Sequence, residues 1–358
     1  MRILFVKHGT EPEDAMIRAF TNAGNDVRDV TAELHEASPF FESSTAADKN
    51  IVSLISVKIQ ETDSDTVFTF NYFPLLSSLC QGLGVRYISW IYDFPCVALY
   101  SCTVINECNV IFVPDSTVSA MFRKNGINTV FYLPAGCDTD KRLPKAGDIS
   151  FTSEIDGKAH IVKQNIVCAA GETVRGYADA LISVSTFCYG PDIIEGTLPE
   201  YIINTLQAVC PAPVQPDGVE TPGYIYSEYV FLPEVTYIEQ MTVREIFRER
   251  GNTVYYPSIG KVNLNVTSRN NHGGIPFRAM DILANGGFLL TNYQKDFMNE
   301  FEDGSSISIF EAGWQIKEKT EYYLAHEKER KEIAAAGYEY VSGHCTFDIR
   351  ADEIMKNI

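Results

Sequence analysis

The sequence lacks most of the features that would assign it quickly. No apolar run approaches the ~18 residues needed to cross a bilayer, so membrane insertion is not expected. The opening Met1–Val6 is too short for a signal-peptide core and reads as a first strand. The GxGxxG fingerprint is missing, which argues against a nicotinamide dehydrogenase. There is no solenoid-type repeat. Nine cysteines, at 80, 96, 102, 108, 137, 168, 188, 210 and 345, form no CxxC pair. An odd, scattered set in mostly apolar surroundings excludes a disulfide frame or a zinc knuckle. It predicts buried thiols in a reducing compartment, with the cytoplasm as the expected location. Positive charge is also scarce, 29 Lys and Arg against 47 Asp and Glu, for a net charge of −18. Such a surface repels a phosphate backbone and anionic lipid, so no nucleic-acid partner is expected.

What is present is a chain of 358 residues, 45% hydrophobic, enough for two domains of ~100–200 residues each. Strand-like runs at Ile3–Val6, Thr66–Phe70, Tyr87–Ile91, Val110–Val113 and Val130–Leu133 alternate with helical stretches such as Pro74–Gly82. This is the pattern of a doubly wound parallel sheet, whose ligands bind beyond the carboxyl ends of the strands. Pro144–Gly157 is polar and weakly patterned, and Glu172–Phe187 and Leu198–Val209 read as helices. The proline-rich Cys210–Gly218 reads as a linker or surface loop. A charged helix over Thr236–Arg250, a strand over Val254–Tyr256 and renewed α/β alternation follow. The expected domains are 1–145 (α/β), 146–235 (helical middle segment and linker) and 236–358 (α/β).

Residues 261–292 carry the densest chemistry. Val262–Thr267 alternates like a strand, Ser268–Ile275 is a polar loop, Pro276 opens a helix that Gly286-Gly287 stops, and Phe288–Thr291 is the next strand. The loop delivers Arg269, Asn270, Asn271 and His272 to a helix N-terminus, where amide groups and the helix dipole favour an anion. Gly273-Gly274 permits close approach to the backbone. Arg278 and Asp281, three apart on one helix face, supply a cation for phosphate oxygens and a carboxylate for ribose hydroxyls. The plainer alternative is a surface Arg–Asp pair. Asp93, after the Tyr87–Ile91 strand, is the first-domain candidate for acceptor contact or base catalysis, or else a cap for a helix over Cys96–Asn106. His8 reads as a surface histidine, and His160, His326 and His344 show no partner pattern. The triplets Asp63-Ser64-Asp65 and Asp138-Thr139-Asp140 have the form of a divalent-metal site but read as chance in so acidic a chain, and no metal is expected.

Several segments together resemble the CgeB-like glycosyltransferases. They are Lys261-Val262-Asn263-Leu264-Asn265, Gly274-Ile275-Pro276-Phe277-Arg278 and Gly286-Gly287-Phe288-Leu289-Leu290-Thr291-Asn292, with the Tyr322–Tyr338 tail. Upstream, Asn71-Tyr72-Phe73-Pro74, Ser89–Pro95, Tyr132-Leu133-Pro134-Ala135 and Glu234-Val235-Thr236 match in the same order. The resemblance implies a GT-B fold: two Rossmann-like α/β domains facing across a cleft, with the nucleotide-sugar donor held mainly by the second. The C-terminal helix is expected to pack back on the first domain. The implied function is transfer of a sugar, of hexosyl type, from a nucleotide-diphosphate donor to an unknown glycan or protein acceptor. No cofactor or metal is called for. Lys261, His272, Gly274, Arg278 and Asp281 are the expected donor contacts, and Asp93 and Arg269 the expected catalytic groups. The alternative is a catalytically inactive GT-B relative acting as a binding or coat-associated structural protein. Phe151-Thr152-Ser153, where the family usually has Phe-Val-Gly, motivates that second reading.

Overall fold

The computed structural model describes residues 1–34, 48–152, 155, 157–188, 198–213 and 217–358. The chain divides into two compact units. One comprises Met1–Asp138, Val214–Glu220 and Cys345–Ile358, the other Thr139–Pro213 and Thr221–His344. Ser153 and residues 214–216 of the proline-rich segment lie outside the described residues.

In chain order the first unit runs β1 (Arg2–Lys7), α1 (Glu13–Asn22), β2 (Asp26–Thr31), α2 (Asp48–Thr62), β3 (Thr66–Phe70), α3 (Pro74–Leu83), β4 (Arg86–Trp90), β5 (Asn109–Val113), α4 (Ser116–Lys124) and β6 (Val130–Tyr132). All six strands are parallel, in the order β2-β1-β3-β4-β5-β6. Strands buried on both faces read as unbroken apolar runs, and Ile3–Val6 are fully buried. Each such large side chain contributes ~1.5–3 kcal/mol on burial. The expected Cys96–Asn106 helix is instead two short 3-10 turns, Val97–Tyr100 and Cys102–Ile105, with extended Ser101 between them. The hydroxyl of Ser101 caps the second turn and also bonds Asp217.

The second unit contains β7 (Ile149–Phe151), α5 (Gly157–Ala169), α6 (Glu172–Ser185), α7 (Glu200–Val209), α8 (Pro222–Tyr226), a π-helical turn at Ser227–Phe231 and α9 (Leu232–Ile246). Then come β8 (Thr253–Tyr255), β9 (Val262–Asn265), α10 (Phe277–Ala284), β10 (Leu289–Asn292), α11 (Lys295–Glu300), β11 (Ser308–Phe310), α12 (Gly313–Ala325) and α13 (Glu327–His344). Its parallel sheet has the order β11-β10-β9-β7-β8. The weakly patterned Pro144–Gly157 stretch therefore contains a central strand, β7, between β9 and β8. It is three residues long and has no periodicity to read.

The chain returns to the first unit in α14 (Phe347–Lys356), which packs on α1 as expected. Phe347 meets Trp90 edge to face at 6.0 Å, and Asp348 accepts a hydrogen bond from Asn22. None of the nine cysteines, all among the described residues, is in a disulfide. Cys80, Cys137 and Cys345 are buried, but Cys102, Cys168 and Cys188 are exposed, against the expectation that most are buried. Among the described residues no helix is long and apolar enough to cross a membrane.

Candidate functional site

The carboxyl end of the second sheet is fixed by a buried polar lattice. The Thr152 hydroxyl, just past β7, donates to Asn265 Oδ1 at 2.8 Å. Asn265 Nδ2, at the end of β9, donates to the hydroxyls of Thr267 at 2.8 Å and Thr291 at 2.9 Å. The Thr267 amide donates to Asn292 Oδ1 at 2.8 Å. Three strand ends are thus stapled by side chains that leave few of their own polar groups unpaired, which is the condition for burying them at all. Asn263 performs a similar task at the other end of β9, donating to the Phe288 carbonyl and accepting from the Gly260 amide. The two asparagines of the Lys261–Asn265 motif are cross-strand ties on one strand face.

Past β9 the loop is tied to helical structure beside it. The Arg269 amide donates to Thr236 Oγ1 at 2.8 Å, and its guanidinium donates to the Cys188 carbonyl at 2.5 Å. Asn270 donates to the Glu228 carbonyl, and the His272 ring lies 3.2 Å from the fully buried carboxylate of Glu228. The Gly274 amide donates to Asn271 Oδ1 at 2.8 Å. Helix α10 begins directly after Pro276, one position later than the sequence suggests. Its N-cap residue, Pro276, makes no side-chain cap bond and its first turn holds no acidic residue, so its dipole end favours a negative charge.

Arg278 is the one exposed residue of α10. Its guanidinium lies over the Tyr256 ring at 5.4 Å and donates to the Thr152 carbonyl at 3.4 Å. Asp281 is buried and pairs not with Arg278 but with Lys141, at 2.6 Å. The Tyr256 hydroxyl also donates to Asp281, at 2.7 Å, and accepts from Lys141 at 3.0 Å. The surface Arg–Asp pair considered from the sequence is therefore not what forms. Burial, followed by the Asp281 charge, pushes the Tyr256 phenol well above its usual range, so at neutral pH it is a fixed donor.

The structure thus brings Gly274, Arg278 and Asp281 to one helix start, together with Tyr256 and Lys141. Arg269 and His272 share the loop but have side-chain bonds directed to Cys188 and Glu228. Lys261 precedes β9, ion-paired to Asp148 at 2.8 Å. A strand of four residues at ~3.3 Å each separates it from the loop. Asp93 belongs to the first unit, where Asn71 Nδ2 donates to it at 2.9 Å and Asn71 Oδ1 accepts from the amides of Tyr92 and Asp93. It caps neither of the 3-10 turns that replace the expected helix. His8 is half-buried, its ring bonded to the Phe70 carbonyl at 2.9 Å. Of the acidic triplets, Asp63 and Asp65 are engaged by Arg2, and Asp138 pairs with Arg18.

Two features were missed from the sequence. Tyr256 and Lys141 lie far along the chain from Asp281, and neither sits in a motif. His160 does have a partner, the buried Glu234, whose carboxylate lies 2.8 Å from its Nδ1, and its ring lies flat against Tyr237 at 4.5 Å. The signal was Glu234-Val235-Thr236, which supplies both this carboxylate and the hydroxyl that holds the Arg269 amide.

With this geometry, residues 245–356 match the family described as glycosyl transferase-like. No curated protein matches the chain by sequence. Solved structures similar to it include sucrose-phosphate synthase from Thermosynechococcus elongatus, at 9% identity and TM-score 0.57, covering 100% of this chain and 98% of that one. The Anabaena protein HepE in complex with UDP-glucose is similar at 10% identity and TM-score 0.54, covering 100% and 99%. A glycosyltransferase from Rickettsia africae is similar at 11% identity and TM-score 0.52, with coverage of 100% and 99%. The fold is GT-B.

Proposed function

We propose that this protein is a glycosyltransferase of the CgeB-like kind, which takes a sugar from a nucleotide-diphosphate donor held at the carboxyl end of the second sheet. The observation that carries the reading is the uncapped start of α10, with Arg278 its one exposed side chain, inside the segment that matches a glycosyl transferase-like family. HepE, of the same fold, was solved with UDP-glucose.

In the transfer, the acceptor hydroxyl gives its proton to Asp93, its oxygen bonds to the anomeric carbon, and that carbon's bond to the phosphate oxygen breaks. Positive charge builds on the sugar ring and negative charge on the departing diphosphate. The helix start and the Arg278 guanidinium stabilise the departing charge. Asp281, held by Lys141 and Tyr256, accepts from a ribose hydroxyl in this reading, and Gly274 lets the diphosphate approach the loop. Arg269 and His272 border this site through the same loop. Lys261 takes no part. Asp93 is the first-unit group for the acceptor, which is a glycan or a protein. No metal is required, and cysteines outside disulfides suit a cytoplasmic enzyme.

The test is titration of UDP into the wild type and Arg278→Ala by calorimetry. Loss of a charge-assisted contact should weaken binding by ~1.5–3 kcal/mol. Because Arg278 is exposed, the variant should unfold at the wild-type temperature. Unchanged UDP affinity in a folded Arg278→Ala would overturn the assignment.

A further inference from the structure

The second unit has a concavity at the opposite end of its sheet from Arg278 and Tyr256. It is a cleft of about 390 Å³ formed by the chain entering β7, β9 and β10 and by helix α13. That volume is in the range of small-molecule sites, ~300–1,000 Å³. Its floor is apolar, with Ile259, Phe288 and Ala334, and four cations line it: Lys145, Lys261, Arg330 and Lys331. Such a concentration of positive charge is unexpected by chance in a chain of net charge −18.

Two of these cations are already neutralised. Lys261 pairs with Asp148 at 2.8 Å and Lys331 with Glu327 at 2.6 Å. The other two are not. Lys145 is exposed and, among the described residues, has no ion-pair partner. Arg330 is only 5% exposed, and among the described residues no carboxylate lies within ion-pair reach of it. Among the described residues its side-chain hydrogen bonds both come from Nη1, to the carbonyls of Tyr323 and Leu324 at the end of α12. Among the described residues its Nη2 and Nε donors make no hydrogen bond, and a guanidinium fork matches phosphate oxygens. Glu327 is held below the usual carboxylate range, first by its bond to Lys331, with Arg330 and Lys261 adding to the effect. Lys331, Arg330 and Lys261 therefore act on one region of space, and Lys145 lines the same cleft.

We propose that this cleft binds a small phosphate monoester carrying an apolar group, at a site separate from the one at the carboxyl end of the sheet. A monoester carries a charge of about −1.5 to −2 at neutral pH, which matches the two uncompensated cations. The apolar group covers Ile259, Phe288 and Ala334. The ion pair of Lys261, remote from α10, then closes one wall of this cleft.

The probe is phenyl phosphate, titrated calorimetrically into the full chain, with phenol and inorganic phosphate as partial ligands. Phenyl phosphate should bind more tightly than either fragment, and saturating UDP should leave its affinity unchanged. Lys145→Glu, an exposed change, should weaken it by about tenfold without lowering the melting temperature. Lys331→Glu is a second exposed change expected to act in the same direction, while Arg278→Ala should have no effect. Absence of binding overturns the proposal. So does binding that UDP or Arg278→Ala abolishes, or binding that is indifferent to both charge reversals. Failure of UDP to bind anywhere would sink the glycosyltransferase reading and leave this one standing.

Discussion

Tyr256 lies between the two charged side chains of α10. Its ring carries the Arg278 guanidinium at 5.4 Å, and its hydroxyl donates to the Asp281 carboxylate at 2.7 Å. The two contacts can be separated by substitution. Tyr256→Phe keeps the ring and loses only the hydroxyl, and Lys141 still holds Asp281. It should cost ~1 kcal/mol of stability and change UDP affinity by no more than about threefold. Tyr256→Ala also removes the surface on which Arg278 rests and should weaken UDP binding by about tenfold. Calorimetric titration of both variants checks this, and equal losses from the two would show that the ring does not position Arg278.

Asn265 bonds Thr152, Thr267 and Thr291 from one buried amide. Asn265→Ala leaves those hydroxyls short of partners and should destabilise the chain by about 2–3 kcal/mol. Lys261→Ala, from the same motif, removes only a partly exposed ion pair and should cost under ~1 kcal/mol. Urea unfolding of the two variants gives the comparison, and similar midpoints would mean the lattice does not hold the strand ends.

Alkaline pH should act on the first unit through Tyr72, whose hydroxyl is bonded to Thr103 at 2.8 Å. Burial pushes this phenol from 10.0 up to about 12. The folded state prefers the neutral phenol, whereas the unfolded chain ionises near 10.0. The stabilisation is therefore complete below that pH and is lost as pH rises toward about 12. Urea midpoints should fall across this window, and less steeply in Tyr72→Phe. Parallel slopes for the wild type and Tyr72→Phe would remove Tyr72 as a cause.

The parallel sheets were legible because strands buried on both faces leave unbroken apolar runs, as in Ile3–Val6. The strands that escaped notice, β2, β7 and β11, are short or charged. Asp26–Thr31 is an edge strand with three charged residues, and Ile149–Phe151 is three residues within a polar stretch. Neither length nor composition marks them, because neighbouring strands supply their hydrogen bonds. Arg278 and Asp281 could be read because helical spacing relates residues three apart. Tyr256 and Lys141 could not, since only the fold brings them to Asp281. The asparagines of the Lys261–Asn265 motif could be seen in the sequence, but their work is between strands and has no local pattern.

The departing diphosphate must be neutralised by something, and the proposed site offers protein groups for it: the α10 dipole end and Arg278. Transfer should therefore survive excess EDTA. The rivals are the two acidic triplets, and each has a competing cation, Arg2 for Asp63 and Asp65 and Arg18 for Asp138. A divalent ion at either triplet would have to displace a guanidinium. Asp63, Asp65 and Asp138 belong to the first unit, whereas α10 belongs to the second. Asp138→Asn should accordingly leave turnover within a few-fold of wild type, with UDP release from a UDP-sugar donor as the readout. Loss of turnover in EDTA, restored by Mg²⁺ or Mn²⁺, would replace the helix-and-arginine account with a metal-held diphosphate. If EDTA has no effect but Arg278→Ala abolishes turnover, the charge on the leaving group is carried by the protein.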